Sequence, residues 1–370
     1  MPKICMLTTS EIFHDSRILN EAKTLSATYD VVILARQYLG QRQLKLSYRI
    51  KLINFAKLKF HQLNIFSSLL SLMRAAFKEN PDIYHAHDLD GLLCAFPAAL
   101  LKRKKLIYDS HELWSDIYPF ANLRGIRWLL PILEKFLMLK VKNGLTVNDS
   151  LARYLENKYK KNFIFLYNVS EKTPNKKLRI DLKRLFINKK IVLHLGSADE
   201  GRGMEQMIAA AKYFEKNMIL VFIGGGKTEK QAQELVKKYH IKEKVRFLPA
   251  VLPDEIISTI KSADLGLALT QNISLSYYYS LPNKLFQYIL AGVPILGSNF
   301  PEFRKIISKN GIGEVVNPAN PELIAKKIIV MVKKSSQRKY RKKLYGLAKS
   351  QYNWEVESKK LLNFYDKIFY

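Results

Sequence analysis

A chain of 370 residues, 48% hydrophobic and 25% charged, is long enough for two globular cores and too apolar to be disordered. The two cysteines, Cys5 and Cys94, lie inside apolar runs and read as buried hydrophobes of a reducing compartment, not as a disulfide or a metal site. The formal net charge of +29 points to anionic partners, nucleic acid, an anionic membrane surface or anionic substrates, unless a lysine-rich compositional habit accounts for much of it.

The first residues, M-P-K-I-C-M-L-T, read as a strand and not as a secretory leader. Apolar runs then recur at D-V-V-I-L-A, Y-R-I-K-L-I, D-I-Y-H-A-H, K-L-I-Y-D-S, G-L-T-V and F-I-F-L-Y-N. Segments with helical spacing, such as Arg17–Ser26 and Ile126–Lys140, separate most of them. The run Leu92–Leu101 is too short to span a bilayer and contains Pro97. A lysine-rich stretch, Ser170–Lys190 with Pro174, reads as a linker carrying one helix. The alternation restarts with I-V-L-H-L-G, M-I-L-V-F-I-G-G-G, K-V-R-F-L-P, D-L-G-L-A-L, V-P-I-L-G and G-E-V-V, and helices follow Pro321.

Alternation of this kind predicts α/β architecture: two Rossmann-like, doubly wound domains facing a cleft, with ligands at the strands' carboxyl ends. The expected division is 1–170, 171–350 and a last amphipathic helix over 351–370 that returns to the first domain. Local basic runs fall at Lys102–Lys105 and Arg338–Lys343. No zinc-finger spacing or aromatic RNA-binding signature accompanies them, so nucleic acid is not among the expected partners.

Three stretches of the second half carry candidate chemistry. In S-L-P-N-K-L-F-Q-Y-I-L-A-G-V-P, Ser280 suits a helix cap and Pro282 a first turn. Asn283, Lys284 and Gln287 then share one face near the positive helix end, a place for a diphosphate, although a capped surface helix has the same pattern. In H-L-G-S-A-D-E-G-R-G-M-E, Gly196, Gly201 and Gly203 allow close backbone approach, and Arg202 can grip phosphate oxygens. The glycines of Gly224–Lys227 form a tight turn after a strand, with Gly225 lining a nucleotide site; they lack dinucleotide or P-loop spacing. In the first half, His85–Asp88 and Asp109–Glu112 each end a strand. His85 follows an apolar pattern and reads as core, whereas His111 and Glu112 lie past the strand. No third convergent ligand is visible, so no metal is expected.

Taken in order, these motifs resemble family 4 of the glycosyltransferases, the retaining "group 1" enzymes of the GT-B fold. The resemblance covers the whole chain and is densest from Ile191 to Val316, with D-S-R-I-L-N-E-A, D-I-Y-H-A-H-D and Y-D-S-H-E-L-W added by the first half. It implies that Arg202 binds the donor diphosphate, that His111 stands by the donor sugar and that Leu248 to Val251 border the base. Ser197 occupies the place where many members have a second arginine, and we expect Lys284 to supply the missing charge. Tyr279 and Gln287 stand where the family carries two glutamates, and Gln287 keeps hydrogen-bonding capacity without the charge.

The resulting expectation is a metal-independent, retaining hexosyltransferase with no cofactor beyond its nucleotide-sugar donor. Its acceptor is a glycan or lipid-linked intermediate of surface polysaccharide synthesis. The enzyme is expected to be cytoplasmic and peripheral, held at the inner face of an anionic membrane by its charge. The Ser197 and Gln287 departures support a rival: a catalytically degenerate GT-B-like subunit that binds nucleotide or a partner enzyme. A nucleotide-sugar epimerase fits the motifs less well.

Overall fold

The computed structural model describes residues 1–38, 46–55, 61–116, 124–170, 180–335 and 338–369. The chain folds into two compact units, Met1–Asn168 with Glu357–Tyr370, and Val169–Val356. The lysine-rich stretch around Pro174 and the final Tyr370 lie outside the described residues.

The first unit contains β1 (Lys3–Thr8), α1 (Ser16–Leu25), β2 (Asp30–Arg36), β3 (Arg49–Ile53), α2 (His61–Glu79), β4 (Ile83–His87) and α3 (Asp88–Leu101). It continues through β5 (Lys105–Ser110), α4 (Arg124–Leu137), β6 (Asn143–Thr146), α5 (Asp149–Tyr159) and β7 (Asn162–Phe165). The strands form one parallel sheet in the order β3-β2-β1-β4-β5-β6-β7. Both faces of such a sheet are covered, which explains why β1 and β2 read as nearly unbroken apolar runs. Polar caps start α1 and α5: the Asp15 carboxylate accepts from Ile18 N, and the Asn148 side chain accepts from Leu151 N.

The second unit contains α6 (Leu182–Leu185), β8 (Lys190–Leu195), α7 (Met204–Ala211), β9 (Met218–Ile223), α8 (Glu229–Lys238), β10 (Val245–Leu248), α9 (Ile256–Ile260) and β11 (Leu265–Ala268). It continues through α10 (Leu275–Tyr279), α11 (Asn283–Ala291), β12 (Ile295–Ser298), α12 (Pro301–Phe303), β13 (Gly313–Val316), α13 (Pro321–Ser335) and α14 (Arg338–Ser350). Its sheet is also parallel, ordered β10-β9-β8-β11-β12-β13. One core layer gathers Met207, Leu220, Leu267, Ile324 and Ile328, where α7 and α13 pack on the strands.

The last helix, α15 (Trp354–Phe369), has its residues from Glu357 onward in the first unit. There the Tyr365 hydroxyl lies 2.8 Å from His85 Nδ1, and Tyr29 stacks on Phe369. The strand order reverses between β1 and β4 in the first unit and between β8 and β11 in the second. Ligand sites of doubly wound sheets form at such switch points, outside the strands' carboxyl ends.

Candidate active site

At the second switch point, β8 carries buried His194 near its carboxyl end, and α11 brings Lys284 against it. Lys284 Nζ lies 3.0 Å from His194 Nε2. The geometry that holds them depends on Tyr288, one helical turn after Lys284. Its buried hydroxyl donates to Leu193 O at 3.0 Å and accepts from Leu195 N at 3.1 Å. The ring passes over Gly266, where any Cβ would sit 2.6 Å from ring atoms. Gly266 on β11 therefore admits the ring, the ring anchors α11, and α11 places Lys284 beside Gly196.

The charge at this place is unbalanced. Among the described residues neither Lys284 nor Arg202 makes an ion pair. Burial, followed by the charge of Arg202, pushes the Lys284 ammonium well below its ordinary value. Burial and the same two cations hold His194 neutral. Its Nδ1 is buried without a hydrogen-bond partner. Two cations without a carboxylate, with one proton donor unsatisfied, form a receptor for a multivalent anion.

Arg202 comes from a loop shaped by glycine. Gly201 and Gly203 have φ of +78° and +73°, a region that L-residues rarely adopt. A Cβ on Gly201 would meet Ile273 and Tyr277 at 2.6 Å. The Arg202 guanidinium lies over the Tyr277 ring, 5.2 Å from its centroid. The Gly224–Gly226 turn serves packing first: Cβ atoms on Gly224 and Gly226 would strike Gly196 O and Ala198 O at 2.4 Å. Gly225 O accepts from Ala198 N at 3.1 Å, which locks the turn against the Arg202 loop beside exposed Ser197.

Two expectations need correction. Ser280 does not cap α11. It ends α10, where its hydroxyl donates to Tyr277 O, and Pro282 is the residue that precedes the first turn of α11. The S-L-P spacing fits a cap, but a short helix immediately before it claims the serine. Asn283 is exposed and Gln287 half-buried on α11, and neither side chain is hydrogen-bonded among the described residues. Leu248 ends β10 and Val251 follows it, both half-buried.

The second correction concerns convergent ligands in the first unit. Glu21, His85, His87 and Asp109 are buried, with ligand atoms within 4.8 Å of one another. The fold brings Glu21 and Asp109, far apart in sequence, to the two histidines, a convergence that local spacing does not show. The cluster already contains a cation. Arg17 donates to both Asp109 oxygens at 2.9 Å and lies 3.1 Å from Glu21. Arg17 also donates to Leu166 O at 2.7 Å and Thr146 O at 3.3 Å, tying α1 to the ends of β6 and β7. Burial pushes Glu21 up to about 8, so at neutrality it holds a proton, and Arg17 neutralises Asp109. The residues fit a charge-compensated polar core better than a divalent-cation site.

His111 lies at the edge of this cluster. Its Nε2 is 3.3 Å from Asp109 Oδ2, and its Nδ1 is 3.6 Å from Asp88 Oδ2. Burial opposes its charge, but the two carboxylates outweigh burial and push it up to about 10. Asp88 also accepts from His111 N at 2.9 Å and adopts φ of +58°, an uncommon conformation that an aspartate tolerates. His111 is thus a held imidazolium. His85 is buried as its apolar pattern predicts, while Asp88 and Asp109, from the two strand-end motifs, hold His111.

Two family models match in tandem: Glycosyltransferase Family 4 over residues 16–168, and Glycosyl transferases group 1 over 177–349. The chain belongs to the family 4 glycosyltransferases. It is 24% identical over 250 residues to the chitobiosyldiphosphodolichol beta-mannosyltransferase of Candida albicans, a stretch that is 61% of this chain. The match spans about half of that relative, 54% of its length. The fold is similar to that of sucrose-phosphate synthase from Thermosynechococcus elongatus (TM-score 0.82, 14% identity, 100% of this chain and 99% of that one). It is also similar to Anabaena HepE, solved in complex with UDP-glucose (TM-score 0.77, 13% identity, 99% and 100% coverage). The fold is the GT-B pair of parallel sheets flanked by helices.

Proposed function

We propose that this glycosyltransferase moves a sugar, with retention, from a nucleoside diphosphate to a membrane-held glycan or lipid-linked acceptor. The observation that carries the donor reading is the pair of cations, Lys284 and Arg202, with no carboxylate partner among the described residues. A diphosphate supplies the missing negative charge, and the first turn of α11 adds its N–H groups. Gly196, Ser197, Gly201, Gly203 and Gly225 line the phosphates in this reading. Ser280, Asn283 and Gln287 contact the donor, and Leu248 and Val251 border the base.

In the proposed step the acceptor hydroxyl attacks the anomeric carbon from the face that the diphosphate leaves. The new C–O bond forms as the bond to phosphate breaks, and the hydroxyl proton passes to a departing phosphate oxygen. No protein nucleophile is required. Charge accumulates on the leaving group, where fixed cations stabilise the transition state more than the ground state. Lys284 and Arg202 provide that charge, so the reaction proceeds without a divalent metal. We assign His111 to the reaction centre on its family position and its cationic state.

The net charge of +29 supports a peripheral site of action at the inner face of an anionic membrane. Among the described residues no helix is long and apolar enough to cross a membrane. A panel of isotope-labelled nucleotide sugars, incubated with the enzyme and lipid-linked acceptors in EDTA, tests the reading. Transfer with the anomeric configuration kept is the expected result. Nucleotide binding without transfer or hydrolysis for every donor would favour the degenerate subunit.

A further inference from the structure

Most of the outer face of α4 is uncovered among the described residues. Trp128, Leu129, Ile132 and Phe136, with Leu139 just beyond the helix end, are each more than half exposed, from 53% for Phe136 to 78% for Trp128. Their spacing places them on one side of the helix. The opposite side is sealed by Leu137 and by Glu134, whose carboxylate accepts from Lys158 at 2.9 Å. Phe136 meets Phe96 of α3 with ring centroids 5.3 Å apart, and Leu100 lies one turn beyond Phe96 and is also exposed. A continuous exposed apolar strip of this kind marks an interaction surface.

The charge around the strip selects its occupant. Among the described side chains of residues 128–142 three are basic, Lys135, Lys140 and Lys142, and a single one is acidic, Glu134. Glu134 is buried and neutralised by Lys158, so the outer face carries no exposed acid. A second copy of the chain docking symmetrically would press like-charged rims together, which disfavours that occupant. An anionic lipid leaflet offers hydrocarbon to the strip and phosphate to the rim, and an exposed tryptophan is at home in the headgroup region. We infer that α4 is the membrane-docking element, lying in the plane of an anionic leaflet with Trp128, Leu129 and Ile132 inserted. The inference deepens the membrane-held reading above: it names the surface and makes apolar insertion, not charge alone, the source of retention.

The test uses the full chain with vesicles of phosphatidylcholine alone and of phosphatidylcholine with phosphatidylglycerol. Wild type should float with the anionic vesicles, and brominated acyl chains should quench a tryptophan signal that is lost in Trp128→Phe. The triple variant Trp128→Ser, Leu129→Ser, Ile132→Ser should bind these vesicles about 100-fold more weakly at the same salt. Its affinity for UDP, GDP and ADP should equal that of wild type, whatever that affinity is. Unchanged vesicle binding by the triple variant, or quenching that survives Trp128→Phe, overturns the inference. So does a concentration-dependent wild-type dimer that the triple variant abolishes without loss of vesicle binding. Failure of wild type to bind any nucleotide would sink the donor reading and leave the vesicle result standing.

Discussion

Lys284 Nζ and His194 Nε2 are 3.0 Å apart, and among the described residues neither has a carboxylate partner. A protonated lysine this close to a histidine forces the imidazole to stay neutral and to accept, so the ring's own proton sits on Nδ1. The histidine therefore orients the ammonium without competing for the anion. An acid in its place would neutralise the lysine and fill the site from within.

The first prediction follows from that imbalance. Lys284→Ala and Arg202→Ala should each lower kcat by about 100- to 1000-fold, as loss of one transition-state charge contact does elsewhere. Neither side chain belongs to a strand core, so Tm should stay within a few degrees of wild type. Steady-state kinetics together with thermal melts check this. Normal turnover in both variants would place the phosphates elsewhere.

The pH dependence of donor binding should report Lys284 directly. Its ammonium is held well below the ordinary lysine value by burial and by Arg202. An incoming diphosphate favours the charged form, so nucleotide binding should take up a proton at pH values around and above the free-state value. Affinity should fall as pH rises through the free-state value, and the fall should vanish in Lys284→Met. Calorimetry in buffers of different ionisation enthalpy measures the proton directly, and equal heats in all buffers would contradict the assignment.

Gln287→Glu offers a contrast on the same helix. Gln287 is half-buried, with no side-chain bond among the described residues, one turn after Asn283. If it holds the donor's ribose, a carboxylate adds acceptor capacity, and donor KM should stay equal or fall. A rise in KM of tenfold or more (about 1.4 kcal/mol) would show that the position needs an amide.

The alternation of apolar runs with helical spacing makes both sheets legible, because parallel strands covered on both faces are apolar along their whole length. The Gly201–Gly203 and Asn283–Gln287 segments are also legible, since glycine and a helix start leave local marks. What local spacing misses depends on distant residues. Tyr288 anchors α11 only because Gly266, on another strand, leaves room for its ring. Arg17 meets Asp109 across 92 positions of sequence. Ser280 departs from its expected role because a cap pattern and a helix end look alike when a second short helix stands just before the first. The exposure of the α4 strip is invisible to periodicity, which shows that a helix has an apolar side but not whether the fold covers it.

Arg17 provides a test of the buried network. It is fully buried and binds Asp109 through two nitrogens. Arg17→Met removes the cation and leaves the Asp109 carboxylate in a dry site, at a cost of about 3–5 kcal/mol. For a unit of this size that is a fall in Tm of roughly 10 °C. Pairing it with Asp109→Asn should recover part of the loss, because the orphaned charge is removed as well. A single variant as stable as wild type would mean that the network carries no net electrostatic stabilisation.

His111 makes the stability of the first unit pH-dependent, and the sign follows from the direction of its shift. Its ordinary value is 6.5, and Asp88 and Asp109 push it up to about 10 against the opposing effect of burial. The folded state therefore keeps a proton that the unfolded chain gives up near 6.5. The stabilisation is fully present below pH 6.5 and drains away as pH rises towards 10. Glu21, pushed up to about 8 by burial, acts in the same direction over a lower range, so wild-type Tm should decline steadily from neutrality into the alkaline range. His111→Gln removes the titrating ring while keeping a hydrogen-bonding side chain. Its Tm should be lower than wild type at pH 6 and should approach wild type by pH 10. The decline between pH 8 and 10 should be flatter in the variant, because Glu21 has by then lost its proton. Parallel Tm curves for the two proteins across pH 6 to 10 would show that His111 is not the imidazolium that the two carboxylates hold.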